Sequence, residues 1–103
     1  MNRKPKSAAL RELYDEVVGD NPTRQAAYAD TLVSLEAAQL VFDMRTAAGL
    51  SQRELAKRVG TTASVICRLE DADYRGHTLA LLNRIASALG RQIELRAVPK
   101  RAA

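Results

Sequence analysis

The chain has few of the residues from which disulfides, metal sites and membrane spans are built. It contains a single cysteine, Cys67, and a single histidine, His77. One cysteine excludes an internal disulfide framework and a multi-thiolate metal site, and one histidine excludes the paired histidines of common zinc motifs. No apolar run approaches the length of a membrane span, and the charged N-terminus lacks the apolar segment of a secretory signal. We therefore expect a cytoplasmic protein with no metal, no cofactor and no membrane partner.

Catalytic arrangements are also lacking. The sequence offers no nucleophile with a matched base and no glycine-rich phosphate loop. The acidic run of Glu70, Asp71 and Asp73 has too few ligands for a calcium loop, so we expect it to be a solvated loop. The sequence predicts no enzyme activity.

The residues that are present indicate one small helical domain. Of the 103 residues, 47% are apolar, tryptophan is absent and aromatic residues make up only 4%. The formal net charge is +4, which suits a polyanionic partner but is weak evidence by itself. Basic residues cluster at both ends, where either phosphate contact or a solvated terminus explains them: Arg3, Lys4, Lys6, Arg91, Arg96, Lys100 and Arg101.

Two helical segments are predicted before residue 49. The first covers residues 7–18, where apolar side chains recur at helical spacing. Residues 19–22 interrupt the helical pattern, and within them Asn21 is expected to cap the next helix. The second segment runs over residues 23–48, as one bent helix or two abutting helices. Its apolar residues form two stripes, Ala37, Leu40, Val41, Met44 and Ala48 on one side and Leu32, Leu35 and Phe42 on the other. One stripe is expected to face the core, and the other needs cover from the first helix or from a partner.

Residues 51–70 predict two short helices around a tight turn. Ser51 and Glu54 have the spacing of a capping box, Gly60 provides the turn with a positive φ, and Thr61 or Thr62 caps the second helix. The predicted buried residues are Leu55, Ala56 and Val59 in the first helix, and Ile66 and Leu69 with Val65 at the edge in the second. After a loop at residues 71–76, Thr78 is expected to cap a last helix over residues 79–89 that buries Leu79, Leu82, Ile85, Ala86 and Leu89.

The outward side of the second short helix is suited to the DNA major groove. Small side chains at Ala63, Ser64 and Cys67 permit close approach to base edges, and Arg68 can reach guanine or a phosphate. Ser64 can hydrogen-bond a base or a phosphate, and Ala63 can touch a thymine methyl. Gln52 would direct its amide and backbone N–H at a phosphate. The predicted DNA-binding residues are Gln52, Arg53, Thr62, Ala63, Ser64, Cys67 and Arg68.

Residues 91–98 alternate partly between polar and apolar, as a strand does, before Pro99. A lone strand is unstable because its backbone donors and acceptors need a neighbour, and the chain offers no second strand. The segment is therefore either not a strand or paired with another molecule. We favour pairing across a homodimer through Ile93, Leu95 and Ala97, with addition to a partner's sheet as the alternative.

The stretch GLSQRELAKRVGTTASVICRLEDADY resembles the helix-turn-helix of the Cro/lambda-repressor class, also called the XRE family. The matching positions are Leu50, Ser51, Gln52, Leu55, Ala56, Gly60, Ile66, Arg68, Leu69 and Glu70. The following stretch, GHTLALLNRIASALGRQIELRAVP, resembles the C-terminal half of HigA-like antitoxins, so the likeness covers about residues 20–99. Ala63 and Cys67 depart from relatives, which often carry a longer polar residue and a serine there, so base specificity does not transfer.

The resemblance implies a mainly α fold: a lambda-repressor-like bundle with an extra N-terminal helix and a short C-terminal β-strand. The expected parts are a basic arm and helix at 1–22, a DNA-binding domain at 23–90, and a strand and basic tail at 91–103. It further implies a dimeric repressor of its own operon that binds a palindromic double-stranded operator and silences a HigB/RelE-like mRNA-cleaving toxin. The predicted toxin-binding residues are Leu13, Tyr14, Leu32, Leu35 and Phe42.

Several alternatives stay open on the sequence alone. The protein could be a stand-alone XRE-family regulator without a toxin, or an interaction module that has lost DNA binding. Arg68 could pair with the nearby acidic run instead of DNA, and Cys67 could be a redox switch or simply a small side chain. His77 could belong to a loop or helix start, or sense pH, while Tyr74 could cover the core or mark an interface.

Overall fold

The computed structural model describes residues 7–99, and these form five helices. In chain order they are α1 (Ala8–Val17), α2 (Pro22–Ala47), α3 (Gln52–Val59), α4 (Ala63–Leu69) and α5 (Leu79–Ala88). The described chain divides into two compact units, residues 7–33 with 96–99, and Ser34–Leu95. The basic residues Arg3, Lys4, Lys6, Lys100 and Arg101 lie outside the described residues.

The N-terminal unit contains α1 and the first part of α2. Ser7 caps α1 by accepting a hydrogen bond from the Leu10 N–H, and the Asn21 side chain accepts one from the Arg24 N–H, as its predicted capping role requires. Tyr14 is buried, and its ring meets that of Tyr28 edge to face at 4.8 Å between centroids. An aromatic pair thus holds the interior of this unit.

The second predicted helical segment is a single helix of 26 residues. It begins at Pro22, where the missing N–H of proline costs no helical hydrogen bond, and it ends before Gly49, which adopts a positive φ of 71°. Among the described residues no helix, this one included, is long and apolar enough to cross a membrane.

The second unit has one hydrophobic core built from four helices. Its buried members are Val41 and Met44 of α2, Leu55, Ala56 and Val59 of α3, Ile66 and Leu69 of α4, and Leu82, Ile85 and Ala86 of α5. The core positions predicted in α3 and α4 are confirmed. Val65 and Leu89 are half-buried and pack against this core.

The core contributions of α2 and α5 differ from prediction at a few positions. Leu40 of α2 and Ala48, the residue after the end of α2, are exposed, and Ala38 is buried instead. On α5, Leu79 is 59% exposed because it occupies the first turn, at the rim of the core. Helical periodicity identifies which face of a helix is apolar, whereas the reach of neighbouring helices decides how much of that face is covered.

The strand predicted at residues 91–98 is wrong for the single chain. Residues 91–99 have no regular secondary structure, and the described part of the chain contains no strand. Because no other segment of residues 7–99 is a strand, this backbone has no neighbour there with which to form a ladder. Ile93, one of the three predicted dimer contacts, packs against the core of its own unit.

Candidate nucleic-acid interface

The α3–turn–α4 unit adopts the geometry that its capping residues predict. The Ser51 hydroxyl accepts from the Glu54 N–H and the Glu54 carboxylate accepts from the Ser51 N–H, each at 3.0 Å. Gly60 has φ 84°, and its N–H bonds to the Ala56 carbonyl at 2.9 Å. Of the two threonines considered, Thr62 caps α4 by accepting from the Val65 N–H. The orientation of α4 is therefore fixed at its start by local chemistry.

Helix α4 buries one face and presents the other. Ile66 and Leu69 are buried in the core, while Ser64, Cys67 and Arg68 are exposed and Ala63 is half-buried. At about 100° per residue, the exposed side chains lie opposite the buried ones. The structure thus brings four of the seven predicted DNA-binding residues onto one accessible surface, which we call the reading face (Ala63, Ser64, Cys67 and Arg68).

Arg68 is available to a ligand. Within residues 7–99 its side chain has neither an ion pair nor a hydrogen bond, so pairing with the acidic run does not occur. A guanidinium in the middle of an exposed helix face, with all its donors unused, is suited to bidentate contact with guanine or to a phosphate.

Glu70, by contrast, is not part of a solvated acidic loop as predicted. Its carboxylate forms a two-pronged ion pair with Arg45 of α2, with Nε–Oε2 at 2.6 Å and Nη2–Oε1 at 2.9 Å. The two side chains are only 13% and 7% exposed. The Arg45 Nη1 also donates to the Leu50 carbonyl at 2.9 Å. This pair joins the end of α2 to the end of α4.

Gln52 belongs to the same network. Its Nε2 donates to Glu70 Oε1 at 3.2 Å, which orients the side chain within the unit. The Glu70 hydrogen bonds raise the pKa of Arg45 above its ordinary value, and the guanidinium stays charged. The sequence alone gave no sign of this network because its members lie up to 25 positions apart.

Two further contacts fix the ends of the helix pair. Arg84 of α5 donates from Nη2 to the Val59 carbonyl at 2.7 Å, which satisfies a carbonyl at the C-terminus of α3. Leu69 is the last residue of α4, and its carbonyl oxygen lies 2.6 Å from His77 Nε2. The other ring nitrogen of His77, Nδ1, is buried and has no hydrogen-bond partner. The ring of Tyr74 packs edge to face on that of His77 and also covers the core, as the first of its two predicted roles requires.

Cationic residues occur both before and after the reading face along the chain. Arg53, Lys57 and Arg58 of α3 are exposed. Arg75, in the loop after α4, donates to the Ala72 and Tyr74 carbonyls. Of the two remaining predicted DNA contacts, Arg53 is exposed, and Thr62 is exposed while its hydroxyl oxygen accepts the Val65 N–H as the α4 cap.

The residues predicted to bind a partner protein differ in their exposure to solvent. Leu95 and Ala97 are exposed, as a contact requires, and Leu95 is 68% exposed. Leu13, Leu35 and Phe42 are also exposed, Leu32 is half-buried, and Tyr14 is buried against Tyr28 and therefore cannot meet a partner directly.

Part of this apolar surface borders a shallow groove in the second unit. The groove is lined by Leu35, Ala38, Gln39, Phe42, Glu70 and Ala72. The guanidinium of Arg45 lies 5.4 Å from the centre of the Phe42 ring. The groove thus adjoins the ion pair that fixes the end of α4.

Comparisons with known proteins agree with the helix-turn-helix geometry of α3 and α4. A family model described as a helix-turn-helix domain matches residues 36–98, which include the whole α3–turn–α4 unit. A protein of Methanothermobacter thermautotrophicus, described as an uncharacterized HTH-type transcriptional regulator, is 47% identical over 53 residues. That alignment spans 52% of this chain and 75% of the relative. No solved structure matches the chain significantly.

Proposed function

This chain belongs to the helix-turn-helix domain family, and we propose that it is a sequence-specific DNA-binding regulator of transcription without enzyme activity. The observation that carries the proposal is the reading face, on which an unpaired Arg68 projects from a helix clamped at both ends. The description of the relative as a transcriptional regulator supports the same role. In such a complex α4 enters the major groove, and α3 lies across the backbone.

A gel shift with the DNA upstream of this gene tests the proposal. Arg68→Ala should weaken specific binding by about 1–3 kcal/mol, because one bidentate base contact is lost. Arg91→Ala removes the same charge outside α4 and is the matched control, since Arg91 is likewise exposed. Equal effects of both variants would reduce Arg68 to a general electrostatic role. No shift even at low salt would favour a module that has lost DNA binding.

We further propose that the regulator is a dimeric repressor. The reading face carries few polar groups, so one copy is expected to bind weakly, and two copies at fixed spacing multiply the affinity. A two-fold dimer matches a palindromic operator with half-sites about one helical turn apart. The exposed segment that includes Leu95 and Ala97 could supply the contact if it forms a strand only when a second copy pairs with it.

The more specific proposal is that this regulator is the antitoxin of a HigB/RelE-like ribonuclease toxin. Its support is the likeness to HigA-like sequences together with an apolar stripe on α1. Leu10, Leu13 and Val17 recur at helical spacing and are 53%, 54% and 52% exposed. Large apolar side chains at such spacing are the anchors by which a helix binds a partner groove.

Co-expression with a small basic RelE-like protein encoded next to this gene tests the antitoxin role. The expected result is a co-purifying complex and rescue of growth, both weakened by Leu13→Asp, with Leu79→Asp on α5 as a control at a comparably exposed leucine. If no such neighbour exists, or if neither complex nor rescue appears, the protein is a stand-alone regulator.

A further inference from the structure

We propose that the shallow groove beside α2 binds residues 95–98 of a second copy of this chain. Leu35 and Phe42 supply the apolar contacts, and acidic residues at the rim attract basic residues of the bound segment. This contact rests on the proposed dimer and gives the exposed C-terminal segment a receptor that does not require it to form a strand. Pairing of the two segments as strands is the competing outcome of the test.

The apolar part of the groove is accessible to solvent. Leu35 is 39% exposed and Phe42 is 43% exposed, and the buried Ala38 lies between them on α2. Seven residues at 1.5 Å each place Leu35 and Phe42 about 10 Å apart along the helix axis. Large apolar side chains grouped at an exposed concave surface are typical of an interaction site.

The rim of the groove is acidic, although the chain as a whole carries a net charge of +4. The Asp43 carboxylate accepts a hydrogen bond from the lining residue Gln39 at 2.8 Å. Asp71 and Asp73 flank Ala72, which also lines the groove, and all three aspartates are exposed. These carboxylates favour an occupant with positive charge beside its apolar groups.

The C-terminal segment has both properties. Leu95 is 68% exposed and Val98 is 52% exposed, so both side chains have apolar surface to bury. Arg96 between them is exposed. Residues 94–101 of the sequence contain three basic residues and one acidic residue, a net charge of +2. The segment therefore complements the groove in charge as well as in apolar character.

The spacing of Leu95 and Val98 matches that of the two apolar groove residues. Pro99 restricts Val98 to an extended or polyproline conformation. In a polyproline helix, residues three apart lie on the same face and about 9 Å from each other. Both apolar side chains can then enter the groove together, with Arg96 a third of a turn away towards the rim. Residues 91–99 have no regular secondary structure, so no helix or strand has to be broken for this conformation.

Sedimentation equilibrium of the full-length protein compares a groove variant with a matched control. Leu35→Asp should weaken dimerisation by about tenfold or more, because the added carboxylate would be buried and unpaired under the bound segment. Leu40→Asp alters a leucine of α2 that is 38% exposed and does not line the groove, and it should leave dimerisation unchanged. A dimer that withstands Leu35→Asp would overturn the groove contact and leave the proposed dimer standing. A wild-type protein that is monomeric at every concentration would contradict both.

A charge exchange separates docking from a general loss of stability. Asp73→Lys and Arg96→Glu should each weaken dimerisation, since each places like charges together at the rim. The chain that carries both substitutions should recover much of the loss, because opposite charges then meet again. Effects that simply add would overturn the pairing of the rim with the segment.

Cross-linking between two differently tagged copies identifies the occupant of the groove. In a Cys67→Ser background, one copy carries Gln39→Cys and the other carries Val98→Cys, so a disulfide between the two tags joins groove and segment of different molecules. We expect this mixed product to exceed the Val98→Cys homodimer on a non-reducing gel. Predominance of that homodimer would indicate paired segments. A disulfide formed only within a chain that carries both substitutions would indicate that each chain's own segment occupies its groove, and either result would overturn the proposal.

Discussion

At the scale of single residues, Glu70 shows how a charged side chain can be structural beside a binding surface. It lies two positions after Arg68, yet Arg68 is exposed and unpaired whereas Glu70 is 7% exposed and bound to Arg45 and Gln52. A carboxylate in this environment must be paired, because an isolated buried charge is strongly unfavourable. The pair therefore removes a negative charge from the edge of the reading face.

Glu70→Ala should destabilise the protein strongly. The substitution leaves the Arg45 guanidinium largely buried without its carboxylate, and we expect the free energy of unfolding to fall by about 3 kcal/mol. Denaturant titration followed by circular dichroism measures the loss. The double variant Arg45→Met/Glu70→Leu, which replaces the pair with apolar side chains, should recover most of it. A loss below about 1 kcal/mol in Glu70→Ala would mean that the pair behaves as an exposed surface ion pair.

At the scale of helices and turns, the start of α3 is stabilised by a reciprocal capping box. The Ser51 N–H, followed by the Ser51 hydroxyl, holds the pKa of Glu54 below its ordinary value, because these hydrogen bonds favour the carboxylate. A carboxyl group with a lowered pKa stabilises the folded state above its ordinary pKa. That stabilisation is lost as the pH falls through the lowered value.

Glu54→Gln should remove this pH dependence. The glutamine amide can still complete a capping box, but it does not titrate. Wild type should melt higher than Glu54→Gln at pH 7, and the difference between the two melting temperatures should shrink below about pH 4.5. Thermal melts between pH 7 and pH 3 measure the difference. A constant difference over that range would contradict a charge-dependent cap.

Gly60 sets the angle between α3 and α4, and Gly60→Ala should destabilise the unit. Its φ of 84° is in the left-handed region, whereas an added Cβ would meet only Arg84 Nη2, at an ordinary contact distance of 3.7 Å. The expected cost of about 1–2 kcal/mol is therefore conformational and not steric. Gly60→Asn, a residue that tolerates this conformation better, should cost less in the same chemical denaturation measurement. Equal costs would point to a steric origin.

At the scale of the whole molecule, residues 91–99 have the sequence pattern of a strand but no regular secondary structure. Ile93 packs against the core, but Leu95, two positions on, is 68% exposed. Alternation of this kind predicts a strand, and because residues 7–99 contain no second strand, a partner molecule would have to supply one. The proposed dimer would place the exposed apolar side chain and the free backbone groups together in one interface.

Leu95→Asp should shift the equilibrium from dimer to monomer without unfolding the protein. A charge at this position would be buried and unpaired in the proposed dimer, but it is solvated in the monomer. Sedimentation equilibrium measures the association, and Leu79→Asp provides a control at another exposed leucine. Operator affinity should fall together with dimerisation in Leu95→Asp alone. A dimer that withstands the substitution would exclude this segment as the contact.

Local spacing in the sequence predicted five helical segments, but it left open whether residues 23–48 form one helix or two and whether Thr61 or Thr62 caps α4. Ser51, Gly60, Thr62 and Thr78 act on neighbours within about four positions, so their effects are readable from local spacing. The reading face was predictable for the same reason, since Ile66 and Leu69 identify the buried side of α4 and hence the opposite one.

Which polar groups are paired and which apolar groups are covered depends on contacts between segments that are distant in the sequence. Arg45 and Glu70 are 25 positions apart, and only the folding of the chain brings them together and places Gln52 beside them. Likewise, Leu79 has the spacing of a core residue but lies at the rim, and residues 91–98 have the alternation of a strand but no neighbour. Spacing along a chain specifies a face, whereas pairing and cover depend on what other segments place beside it.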